Sequence, residues 1–94
     1  MNSIGDQSRP ALAPGVRLHA DRVTGEPVLL YPEGLLHLNA AAHEIVIRCD
    51  GQSTAEAIIS SLAGEYEIST DTLRHDVLEC LSRLHQHKLV IFSE

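Results

Sequence analysis

The hydrophobic period of this chain changes once, at Asn39, and that change limits the fold more than any other feature. Before it, Val16, Leu18 and Ala20 alternate with Arg17, His19 and Asp21, the period-2 pattern of a half-buried strand. After it, apolar residues recur at three- and four-residue steps: Ala41, Ile45 and Cys49, then Ala55, Ile58, Ile59, Leu62 and Tyr66, then Leu73, Val77, Cys80 and Leu84. Those are the stripes of amphipathic helices. Strands first and helices after give an α+β domain, with the helices packed on one face of a small sheet.

The punctuation fixes the pieces. Asp21–Glu26 supplies turn residues, Pro27–Tyr31 reads as a second strand, Pro32-Glu33-Gly34 as a tight turn and Leu35–Leu38 as a third strand. Connections this short make a three-stranded antiparallel meander. Asn39 is a strong N-cap ahead of three alanines, and Asp50-Gly51 reads as the end of the first helix, Gly51 taking the left-handed position. Ser53 and Glu56 have the spacing of a capping box for the second helix. Ser69-Thr70-Asp71 starts the third, and His85, His87 and Lys88 complement the dipole at its end. Leu89–Phe92 is a short apolar extended end. A three-helix bundle therefore follows the three-stranded sheet.

At 94 residues the chain is one domain, and an enclosed active site beside the core is hard to build at that size. The net charge of −6 opposes nucleic acid, which needs a basic face, and anionic membrane surfaces. With only Tyr31, Tyr66 and Phe92 as aromatics, there is no platform for stacking bases. Cys49 and Cys80 lie on helical core stripes, which reads as buried free thiols in a reducing cytosol rather than a disulfide. The N-terminus lacks a signal-peptide pattern, and no run approaches the ~20 apolar residues of a membrane span. The expected location is the cytoplasm.

The sequence offers no catalytic constellation. Six histidines are scattered, and His85 and His87 splay apart on a helix. No metal-ligand motif, phosphate loop or nucleophile elbow occurs. The reading is therefore of a chain that is not an enzyme, with no cofactor and no metal. What remains is surface for binding. The sheet has open edges that can accept an extended peptide, and the third-helix flank carrying Leu78 and Leu81, near Arg74 and His85, is placed to receive its apolar side chains.

Several segments together resemble the pyrroloquinoline quinone biosynthesis protein D family. They are Pro14-Gly15-Val16-Arg17-Leu18, Val28 through Asn39 with its Leu-Leu-x-Pro-Glu-like strand end and Leu-x-Leu-Asn junction, Cys49-Asp50-Gly51, and Thr54 through Ile58. The resemblance spans residues 10 to about 90. It implies a winged-helix-like recognition element and a non-catalytic peptide chaperone. Such a chaperone binds a ribosomal precursor peptide and presents it to the radical S-adenosylmethionine enzyme that cross-links Glu to Tyr. It also implies that the peptide adds as a strand beside Leu35, Leu36, His37 and Leu38 and lies against Arg74, Leu78, Leu81 and His85. A winged-helix DNA-binding regulator shares the topology and is the alternative. The family often has Gly where Lys88 stands, and Lys is poor in the left-handed conformation, so a different helix end is expected here.

Residues 1–15 are small and polar with Pro10, Pro14 and Gly15, which reads as a flexible tail before a peptide-binding domain over 16–94. Ordering such a tail costs ~1–2 kcal/mol per residue in backbone entropy, and a neighbouring copy supplies the contacts most easily. A homodimer through the N-terminal segment is the expectation.

Overall fold

A computed structural model describes residues 7–93. In chain order the elements are β1 (Arg9–Leu12), β2 (Arg17–Ala20), β3 (Pro27–Tyr31), β4 (Gly34–His37), α1 (Ala40–Val46), α2 (Ala55–Tyr66), α3 (Thr70–Gln86) and β5 (Val90–Ser93). The meander is present as expected: an antiparallel sheet in the order β2-β3-β4. The register pairs Leu18 with Leu29 and Leu29 with Leu36. The β2–β3 turn is tied by Asp21, whose Oδ1 accepts from the N–H of Val23 at 2.7 Å and Thr24 at 3.1 Å. Those bonds, Thr24 first, hold the Asp21 carboxyl below its ordinary range.

Two apolar clusters make the core. In one, Ile45 and Cys49 meet Ala55, Ile58, Ile59 and Leu62 of α2 and Val77 and Leu81 of α3. In the other, Val16, Leu29, Leu38 and Val46 meet Leu84, Leu89 and Val90. Cys80 and Phe92 pack against both. The first cluster joins the helices; the second seats the sheet on the C-terminal half of α3. Burying each large aliphatic side chain contributes about 1.5–3 kcal/mol, so neither set is optional.

Several expectations are corrected. Arg9–Leu12, read as part of the flexible tail, form a strand on β5, with Arg9 opposite Ser93 and Leu12 opposite Val90. The meander is therefore joined by a second, two-stranded sheet built from the two ends of the chain. β1 is held on its other side too: Gly51 N–H donates to Pro10 O at 2.9 Å, Ala55 N–H to Ser8 O at 2.8 Å, and Arg9 Nε to Gln52 O. Composition hid this strand because Pro10 and Ala11 pattern weakly. The rest of the expected tail, residues 1–6, lies outside the described residues.

The helix ends also shift. α1 stops at Val46 rather than at Asp50-Gly51, and i→i−3 bonds such as Cys49 N–H to Val46 O carry the chain onward. Asp50 instead ties the next turn, its Oδ1 accepting from Gln52 and Ser53 N–H. Gly51 does take the left-handed φ of 79°, and a Cβ there would meet the Ala11 side chain at 3.4 Å. Asp-Gly thus serves as a dock for β1. Thr54, not Ser53, caps α2 by accepting from Ala57 N–H. Ala41 and Tyr66 are exposed, the Tyr66 hydroxyl lying among the carboxylates of Glu44 and Glu65. On α3 the buried stripe is Val77, Leu81 and Leu84, while Leu73 and Cys80 are half-buried.

α3 does end near Lys88, contrary to expectation. Lys88 adopts φ 64°, and Leu89 N–H reaches back to Leu84 O at 2.9 Å, the six-to-one bond of a Schellman turn. The left-handed conformation costs a non-glycine residue about 1–2 kcal/mol. Lys88→Gly should therefore raise stability by ~0.5–1 kcal/mol, net of the added freedom glycine gives the unfolded chain. The check is a higher urea midpoint at unchanged m-value; a lower midpoint would contradict the strain.

Both cysteines are free, with Cys49 buried. Desolvation first, then the nearby Cys80, pushes the Cys49 thiol up to about 12. The folded state keeps the proton while the unfolded chain releases it near the ordinary 9.0. The sign is then fixed: Cys49 favours folding below that pH, and stability falls as pH rises above it. Denaturant melts between neutral pH and about pH 10 should show a fall that is smaller in Cys49→Ala.

Candidate functional site

Among the described residues β4 has one partner, β3, and so presents an open main-chain edge. Antiparallel ladders alternate bonded and non-bonded residue pairs. Leu38 N–H donates to Pro27 O at 3.0 Å, so by that alternation Leu36 is also bonded to β3. The N–H and C=O of Leu35 and His37 point away from the sheet. These two residues are what an added strand would meet.

Their side chains divide by face. Leu36 stands on the core face beside Leu29, and Leu35 and His37 on the opposite face beside Leu30 and Val28. Leu35 is 48% exposed and Leu36 37%, large values for leucines at adjacent positions, whereas Leu38 is buried in the sheet cluster. Of the four expected strand residues, three are therefore at the surface and Leu38 anchors the strand from within.

The expected helix flank is arranged differently from the reading. Leu81 is fully buried between the helices and is a core residue. Leu78 is half-buried against the same cluster. Arg74 is drawn to α2, its Nη1 2.9 Å from Glu56 Oε1. His85 is held on β5, with Nδ1 2.9 Å from Val90 O and its ring edge-on to Phe92 at 5.0 Å. This flank faces α2 and the terminal sheet.

The residues of α3 that share the sheet's cluster are Leu84 and Cys80. At 100° per residue, Arg83 and His87 fall on the side of Leu84 away from Leu81, next to Cys80. Periodicity alone does not say which flank of a helix meets the sheet. On α3, Leu84 joins the sheet's cluster and Cys80 packs against it, and Arg83 and His87 share that side by helical spacing.

Polar chemistry is confined to the surface, since every fully buried side chain among the described residues is apolar. Among them no group of three His, Cys, Asp or Glu is placed to hold a metal ion, and no helix is long and apolar enough to cross a membrane.

Comparison with known proteins gives a consistent picture. Residues 26–90 match the family model described as coenzyme PQQ synthesis protein D (PqqD). A PqqA binding protein of Xanthomonas axonopodis pv. citri is 38% identical over 90 residues, covering 96% of this chain and 98% of that one. The PqqA binding protein of Xanthomonas campestris pv. campestris strain 8004 is 37% identical over the same span. The solution structure of the PqqD truncation of Methylobacterium extorquens PqqCD superposes with a TM-score of 0.75 at 32% identity, covering 87% of each chain. It represents a functional, stand-alone recognition element for ribosomally synthesized and post-translationally modified peptides. A crystal structure of PqqD from Xanthomonas campestris gives 0.59 at 37% identity, over 92% of this chain and 96% of that one. Edge, fold and relatives agree: this chain belongs to the PqqD family.

Proposed function

We propose that the chain is a non-catalytic, cytoplasmic peptide chaperone of pyrroloquinoline quinone biosynthesis. It takes the ribosomal precursor peptide as an added strand on β4 and presents it to the radical S-adenosylmethionine enzyme that cross-links Glu and Tyr. The observation that carries this reading is the pair of outward-facing peptide groups at Leu35 and His37, flanked by exposed apolar side chains. Main-chain bonds supply affinity in strand addition and side chains supply selection. The names of the relatives, PqqA binding protein, support the ligand.

The DNA-binding alternative finds no support. Arg48 is engaged by Glu44 and Glu65 and Arg74 by Glu56, and the net charge is −6.

His37→Pro removes an outward donor while leaving the bonds from β4 to β3 in place. It should abolish binding of the synthetic precursor peptide, measured by fluorescence polarisation, in a chain whose circular dichroism is native. His37→Ala should stay within a few-fold of the parent. Equal affinity of the two variants would place the peptide elsewhere.

We further propose that the homodimer forms by exchange of the N-terminal segment. β1 is bonded along both edges and leaves through Ala13-Pro14-Gly15, so the same bonds can be made by a second copy's strand without loss. Light scattering should show a mass that rises with concentration for the full chain, and a monomer after deletion of residues 1–13. A full chain of monomer mass at every concentration rules the exchange out.

A further inference from the structure

Arg83 lacks the partner that its position offers. Glu79 stands four residues before it, the favoured order for a helical ion pair, yet Arg83 makes no ion pair or hydrogen bond among the described residues. The other helix arginine, Arg74, and Arg48 just beyond α1 are both taken by glutamates at 2.8–3.3 Å. Arg83 is exposed and close enough to Cys80 for its charge to act on that thiol. Cys80 packs against the cluster that holds Leu38 and Leu84. A guanidinium with no partner among the described residues thus stands on the Cys80 side of α3, in a chain of net charge −6.

Strand geometry says what would meet it. A strand added to β4 sends alternate side chains to the two faces of the sheet. Those beside Leu36 lie on the face that meets the sheet cluster, which Leu84 joins and Cys80 packs against, and Arg83 shares that side of α3 by helical spacing. We propose that the bound peptide carries an acidic side chain on that face, within two residues of the apolar one that covers Leu36, and that Arg83 reads it. This rests on the strand-addition reading and makes Arg83 a specificity-determining residue. A cation in the last turn of a helix also complements the helix dipole, but that role has no bearing on which peptide is bound.

The test is a double-mutant cycle on the whole chain with the synthetic precursor peptide. Peptides with each Asp or Glu changed singly to its amide are titrated against the parent and against Arg83→Gln. Arg83→Gln should weaken parent peptide by about three- to tenfold, a range set by charge pairs at interfaces. One amide peptide should show the same loss against the parent chain and no further loss against Arg83→Gln. Equal binding by parent and Arg83→Gln, or losses that add at every acidic position, overturns the assignment while leaving strand addition standing. No binding by the parent chain at all overturns the peptide reading, and this inference with it. Circular dichroism and the urea midpoint of Arg83→Gln separate lost recognition from lost fold.

Discussion

The reversal at Lys88 is the constraint on which the rest of the structure depends. α3 runs to Gln86, and within three residues the chain has turned so that Leu89 and Val90 enter the same cluster as Leu84. Leu89 N–H on Leu84 O closes the turn. Without it β5 would continue away from the core, β1 would lose its ladder, and the sheet cluster would lose two of its seven buried members. The open edge of β4 is held by its ladder to β3 and by the burial of Leu38 in that cluster. A single left-handed residue therefore sets the geometry of a site that it does not touch.

Much of this was legible in the sequence, and the misses share a cause. The meander, its turns and the three helices follow from local signals: alternation, Asn39 as a cap, Pro32-Glu33-Gly34 as a turn. β1 was hidden because its stability is entirely non-local. Arg9–Leu12 hold position through bonds to residues some forty and eighty positions away, and no local pattern encodes them. The same reasoning explains the helix flank. The stripe on α3 was placed correctly to within one position, but a stripe has two sides. Arg74, Leu78, Leu81 and His85 lie on the side claimed by α2 and β5. Only the tertiary arrangement shows that Leu84 and Cys80 meet the sheet's cluster.

The charge distribution has a comparable logic. Four glutamates stand on the helices against two arginines, and the pairs that form, Arg48 with Glu44 and Glu65 and Arg74 with Glu56, tie α1 to α2 and α2 to α3. Exposed pairs of this kind are each worth little, about 0.2–1 kcal/mol. Their larger effect is on the surface they leave behind. Arg83 and Lys88, at the end of α3, have no ion pair among the described residues. A small acidic domain can in this way hold one locally cationic rim without a basic surface overall.

The pairing of Arg9 with Ser93 brings the two ends of the domain to one point. Antiparallel neighbours sit about 5 Å apart, so a polypeptide joined before β1 and one joined after β5 would leave from the same corner. For a domain that binds a peptide and is joined to another protein, the end chosen for the linkage would then matter little. Either would set a similar reach to the β4 edge, and hence a similar effective concentration of cargo at the partner. The recognition element of Methylobacterium extorquens, which is a truncation of a longer PqqCD chain, is a case where this fold exists in such a linkage. Closure of the termini makes the domain portable: separate proteins and fused ones could share one architecture without redesign of the core.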